Sequence, residues 1–189
     1  ADELARTGTR LGIWFGPTGG YSFRKDRLAW MKAHGYEAVG DQMCLAGSRY
    51  RALFGRRVLD LIRTDRVGYF KWDGIQFACS EPDHGHPVDV YSRRAVLETV
   101  AGLCGEARAA DPDAFLNVTS GTWLSPWWLR FANQIWMGGE DYGWSDVPSL
   151  SPRDAAITYR DAVLFDDFRV QDLWFPIANL MTHGIIKGR

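Results

Sequence analysis

Short apolar runs alternate along the chain with longer stretches whose apolar residues recur every three or four positions. "LGIWF" (Leu11–Phe15) reads as a strand that stops at the turn-forming "GPTGG". Ser22 is placed to cap a helix over about residues 23–34, with Leu28, Met31 and Ala33 on its apolar side and Gly35 as its stop. "YEAVG" is a short extended piece. "SRYRALFGRRVLDLIRTD" carries Tyr50, Leu53, Phe54, Val58, Leu61 and Ile62 near one face, the mark of an amphipathic helix. A strand over residues 69–72 follows, then a long loop rich in Pro, Asp and His. Ser92 is expected to cap the next helix, "RRAVLETVAGLCGEARAAD". "AFLNVTS" and "QIWM" read as strands, Ser151 and Pro152 open another helix, and "LWFPIANLMTHG" reads as a last strand with its loop.

Strand and helix in this alternation predict an α/β fold with parallel strands joined by right-handed crossovers. The strands are apolar on both faces, as buried parallel strands must be. Their C-terminal ends break into Trp, Gly, Asp and Thr, which is where a β/α barrel collects its chemistry. About five strands can be read, so the expectation is a partial (β/α)8 TIM barrel. On this reading residues 1–189 form one catalytic-barrel segment of a longer protein, which supplies the remaining strands as partners. A small doubly wound sheet is the alternative, although no Gly-rich phosphate loop follows the first strand.

Composition narrows the chemistry. Lys and Arg number 22 against 23 Asp and Glu, without a basic run, so neither nucleic acid nor a membrane surface is an expected partner. Nine tryptophans are many for 189 residues, and their flat faces and donor edges suit sugar rings, although packing accounts for most of them. Cys44, Cys79 and Cys104 are too widely spaced for a disulfide framework or a sequence-evident zinc site. His84 and His86 bracket a glycine and could share a metal, but no further ligand cluster stands near them in the sequence. No metal and no cofactor are therefore expected.

Two strand ends carry acids. "GYFKWDG" (residues 68–74) places Lys71 and Asp73 on one side of a strand and Trp72 on the other. Asp73 could attack an anomeric carbon while Lys71 keeps it ionised and donates to hydroxyls, or it could simply cap the following turn. "QIWMGGEDYGW" ends a second strand in two glycines, Glu140 and Asp141. A retaining glycosidase needs two carboxylates about 5 Å apart, and two strand ends of one barrel face can supply them. Between them lies "NVTSGTWLSPWWL", in which Trp123 suits a sugar platform, while Trp127 and Trp128 suit a wedge under a Ser125–Pro126 helix start. His183, at a late strand end, is placed either to touch substrate or to serve the structure.

"GIWF…P", "YFKWDG", "TSG", "QIW" before an acidic loop, and "FP…H" occur in an order that resembles the family 36-type α-galactosidases and their clan of glycoside hydrolases. The resemblance runs from about residue 11 to 183, and "KWD" is its most specific element. It implies a (β/α)8 barrel of which this chain covers roughly strands 3 to 7. It implies that Asp73 is the nucleophile, that Lys71 binds ring hydroxyls, and that Asp141 is the acid/base with Glu140 in reserve. Trp14, Trp72, Ser120, Gly121, Trp123, Trp136, Glu140 and His183 then join Lys71 as substrate-binding residues. The pocket motifs depart from the family. Gly74, Ile75 and Gln76 follow the nucleophile in place of Met-Asn-Arg, and Thr119 to Trp123 replace a Cys-Ser-Gly-Gly-Gly-Arg segment. The expected activity is retaining hydrolysis of terminal α-galactoside-like sugars, with N-acetylgalactosamine or another α-linked sugar open. A carbohydrate-binding pseudoenzyme on the same barrel is the alternative.

Overall fold

The computed structural model describes residues 2–21, 24–119, 122–136 and 151–181. Its centre is a parallel five-stranded sheet made of β1 (Leu11–Phe15), β4 (Val67–Trp72), β5 (Phe115–Val118), β6 (Gln134–Trp136) and β7 (Leu180–Met181), in that spatial order. A separate two-stranded hairpin, β2 (Ala38–Val39) with β3 (Gln42–Met43), is inserted between β1 and β4. The order in the sheet follows the order in the chain. A doubly wound sheet requires a reversal of strand order, and the described sheet has none, so that alternative is set aside.

The helices supply one wall of the core. In α3 (Ser48–Arg63), Tyr50, Phe54, Val58, Leu61 and Ile62 recur at helical spacing and are buried. In α4 (Ser92–Ala110), Val96, Val100, Leu103, Cys104 and Ala107 do the same. These residues join Phe70 and Trp72 of β4, Leu116 and Val118 of β5 and Ile135 of β6 in one apolar cluster. α1 (Asp2–Arg6) precedes β1, α2 (Arg24–Ala33) leads to the hairpin, and α5 (Pro152–Phe165) lies between β6 and β7. None of the described helices is long and apolar enough to cross a membrane.

Residues alternate between the two faces of a strand. With Phe70 and Trp72 turned to the helices, Tyr69 and Lys71 project from the opposite face. Register carries that face across the sheet: Trp14 lies beside Lys71, Lys71 beside Asn117, and Asn117 beside Gln134. Asn117 Nδ2 donates to the Tyr69 hydroxyl (3.1 Å) and to Gln134 Oε1 (2.9 Å), so this second face is a connected polar layer.

Three sequence expectations change. Ser92 opens α4 but makes no cap; its hydroxyl instead accepts the Cys79 N–H at 2.8 Å and serves the loop before the helix. The expected final strand shrinks to Leu180–Met181, because Ile177–Asn179 forms a 3-10 turn and Trp174 is 82% exposed. The extended "YEAVG" proves to be half of the β2–β3 hairpin. Ser151 does cap α5, accepting the Asp154 N–H at 3.1 Å, with Pro152 at the first helical position. Ser22 lies outside the described residues.

Candidate functional site

Asp73 follows the last residue of β4 at the C-terminal edge of the sheet. Its backbone N–H donates to Phe15 O at 3.1 Å, which extends the β1–β4 ladder by one bond and fixes the start of the side chain. Gly74 then turns the chain away at φ 73°, a left-handed conformation that glycine adopts without steric cost. A side chain there would also press on the Tyr21 hydroxyl, 3.0 Å from an ideal Cβ.

Neighbouring strands orient the Asp73 carboxylate. Trp14 Nε1, from β1, donates to Oδ2 at 3.0 Å. The Thr119 hydroxyl, just past β5, donates to Oδ1 at 3.0 Å. Thr119 is itself fixed, since its backbone N–H donates to Trp72 O at 2.8 Å. Lys71 stands one register step behind, its Nζ 5.7 Å from the centre of the Trp14 ring. Trp14 is 58% exposed and stacks on Tyr21, with centroids 5.9 Å apart. Two donors thus aim one carboxylate, and one of them, Trp14, also has the Lys71 ammonium near its ring. Lys71 and Asp73 form no ion pair within 4.0 Å among the described residues; the Lys71 ammonium lies over Trp14 instead.

A hollow of 280 Å3 opens at this edge, lined by Thr18, Tyr21, Arg24, Gln42, Asp73 and Gln76 among others. At 280 Å3 it is just below the roughly 300–1,000 Å3 usual for small-ligand sites. Arg24 Nε and Gln42 Oε1 are closed off from solvent and have no hydrogen-bond partner among the described residues. Such groups are costly unless something polar meets them.

The other expected site residues divide. Trp72 is corrected: at 1% exposure its ring lies in the helix-side core, T-shaped to Phe54 at 5.7 Å, and it cannot touch a ligand on the Asp73 side. Trp123 is 50% exposed but lines a different hollow of 810 Å3 with Phe77, Val90, Arg93 and Leu97; the two hollows share Ile75 and Gln76 as a wall. Trp128 is fully buried and Trp127 packs against it and Phe131, which is the wedge expected of them. Trp136 ends β6, on the face that Gln134 and Asn117 share. Ser120, Gly121, Glu140, Asp141 and His183 lie outside the described residues.

Thr119, Tyr21, Arg24 and Gln42 were missed as site residues. Only Thr119 had a usable signal, since it lies two residues beyond Asn117 on a strand next to the one that delivers Asp73. A second grouping was missed altogether. Cys44, Cys79, His84 and His86 converge, with one ligand atom from each lying within 4.8 Å of all the others. The expectation that no further ligand-type residues stand near His84 and His86 is therefore corrected. Cys44 comes from beyond β3, 35 residues before Cys79, and only the fold brings it to the other three. Cys104 is apart from them in the core, where burial pushes its thiol up to about 12.

The comparisons with known proteins speak to fold. No protein-family model matches the chain, and no curated protein matches it. Among solved structures, it is similar to the uncharacterised protein lmo2446 from Listeria monocytogenes EGD-e, with TM-score 0.50 and 16% identity over 74% of this chain and 15% of that one. It is also similar to the GH36 α-galactosidase AgaA from Geobacillus stearothermophilus, solved with 1-deoxygalactonojirimycin, with TM-score 0.49 and 14% identity over 71% of this chain and 20% of that one. The chain thus spans a fifth or less of these two solved proteins. At these identities the relationship is one of distant fold: a parallel α/β sheet with flanking helices.

Proposed function

We propose that this chain is the central part of a (β/α)8 catalytic barrel in a retaining α-glycoside hydrolase that acts on terminal α-galactoside-like sugars, with Asp73 as nucleophile. The observation that carries the reading is the Asp73 carboxylate, held at the C-terminal end of a middle strand by the Trp14 indole and the Thr119 hydroxyl. Sequential strand order and a polar layer on the face away from the helices suit a sector of a barrel, with the remaining strands coming from flanking chain.

In the first step a carboxylate oxygen of Asp73 attacks the anomeric carbon and the glycosidic bond breaks. Asp141 gives its proton to the departing oxygen. In the second step Asp141 takes a proton from water, whose oxygen displaces Asp73 and releases the sugar with its configuration retained. The Trp14 and Thr119 donors hold the nucleophile in line, Lys71 meets ring hydroxyls, and Arg24 and Gln42 offer the unpaired polar atoms that a sugar could satisfy.

The full-length protein carrying Asp73→Asn tests this. Turnover of an aryl α-galactoside is expected to fall by roughly a thousandfold or more while calorimetry still detects sugar binding. Activity within tenfold of the unmodified protein would remove Asp73 from the chemistry. Binding with no hydrolysis by the unmodified protein would instead identify a carbohydrate-binding pseudoenzyme.

A further inference from the structure

We infer that Cys44, Cys79, His84 and His86 form a four-coordinate structural zinc site that pins the loop following Asp73. Cys44 Sγ lies 3.1 Å from His86 Nε2, and Cys79 Sγ lies 3.2 Å from His84 Nδ1. Ligand bonds of about 2.3 Å to sulfur and 2.0–2.1 Å to nitrogen, arranged tetrahedrally, put adjacent donor atoms about 3.5 Å apart. The two pairs at 3.1 and 3.2 Å are within a few tenths of an ångström of that spacing, and all four donors lie within 4.8 Å of one another. Two thiols and two imidazoles are a donor set that selects zinc among the common divalent ions. With all four positions filled by protein, the site has no open place for substrate, which marks it as structural rather than catalytic.

The surroundings fit the same role. His86 Nδ1 lies 2.7 Å from Pro87 O, where its N–H donates and leaves Nε2 as the lone-pair nitrogen that faces Cys44. His84 presents Nδ1 to Cys79, and its Nε2 is 3.8 Å from Asp83 Oδ1. Gly85, between the two histidines, sits at φ 79° and reverses the chain so that both rings can converge. Three of the four ligands are buried. On binding, each thiol releases its proton to solvent, and two thiolates then neutralise the dication, so no net charge is left in the interior.

The position explains what the metal does. Residues 74–91 contain no helix and no extended strand, only an isolated bridge between Cys79 and Asp89, and a loop of that length needs something to order it. Zinc would join it at Cys79, His84 and His86 to the segment after the β2–β3 hairpin at Cys44. β3, which ends at Met43 beside Cys44, contributes Gln42 to the hollow beside Asp73, and the loop contributes Gly74 to Gln76. This inference stands on the ligand geometry and does not depend on the proposed reaction.

The test is elemental analysis of the purified full-length protein beside its Cys44→Ser, His84→Ala and Cys104→Ser variants. The unmodified protein and the Cys104 variant are expected to carry about one zinc per chain more than either of the other two. Because a ligand variant could fail to fold, the unmodified protein is also stripped and reloaded with Co2+. Visible absorption of tetrahedral cobalt, with a thiolate charge-transfer band in the near ultraviolet, is the expected result. Equal zinc in all four proteins, a Cys44–Cys79 disulfide in the mass spectrum, or only octahedral cobalt absorption would overturn the assignment.

Discussion

At Trp72 and Asp73, neighbouring residues go to opposite fates. Alternation along β4 sends the indole into the helix-side core and the carboxylate to the ligand side, so adjacency in "KWD" does not mean a shared role. The sequence made the Lys71–Asp73 side legible through that alternation. It could not show that Trp14 and Thr119 would supply the donors, because 59 and 46 residues of chain separate them from Asp73. Thr119→Val keeps the shape of a nearly buried side chain and removes one donor to Oδ1. Losing a donor that holds the nucleophile in line is expected to lower kcat/KM by roughly 10–100-fold, while the loss of stability stays near the ~1 kcal/mol of one hydrogen bond. Steady-state kinetics beside a thermal melt would check it, and a proportionate loss of stability would mean that Thr119 acts only in packing.

Elements were legible where their periodicity was strong. α3 and α4 carry long apolar stripes, and β1, β4, β5 and β6 are short apolar runs bounded by turn residues. The two-residue strands of the hairpin are too short to produce a pattern, and β7 is equally short. α3 begins at Ser48, where its apolar stripe placed it, although Gly47 at its cap position has no side chain to offer. Glu37 fills that role from beside the hairpin, its carboxylate accepting the Arg49 N–H at 3.0 Å and the Tyr50 N–H at 2.8 Å. Burial pushes the Glu37 carboxyl up, but these backbone bonds, with the Ser48 hydroxyl, outweigh it and hold the group below its ordinary 4.5. A folded value below the unfolded one means that the stabilisation is present above about pH 4.5 and lost as pH falls through the folded value. Glu37→Gln is expected to cost about 1 kcal/mol at neutral pH, with the difference from the unmodified protein shrinking in acid. Denaturant titrations at pH 7 and pH 3 measure it; a gap that stays constant would contradict the cap.

At the scale of the molecule, two faces of one sheet divide the work. The helix side is apolar, while the far side and the C-terminal edge carry two polar groupings, Asn117 with Tyr69 and Gln134, and Asp73 with Trp14 and Thr119. The alternation of elements made the parallel α/β class readable, whereas the convergence of Cys44 with Cys79, His84 and His86 is a property of the folded chain alone. If zinc pins residues 74–91, removing it with a strong chelator should speed amide exchange across that loop and leave β4 protected. Uniform exchange before and after chelation would show that the loop is ordered by other means.

The proposed mechanism requires a covalent bond between Asp73 and a sugar. Incubation of the full-length protein with 5-fluoro-α-galactosyl fluoride, followed by proteolysis and mass spectrometry, tests it most directly. One 5-fluorohexosyl adduct is expected, on the peptide that holds Lys71, Trp72 and Asp73, with fragmentation placing it on Asp73. An adduct on a different carboxylate, or hydrolysis of the reagent with inversion and no adduct, would contradict it.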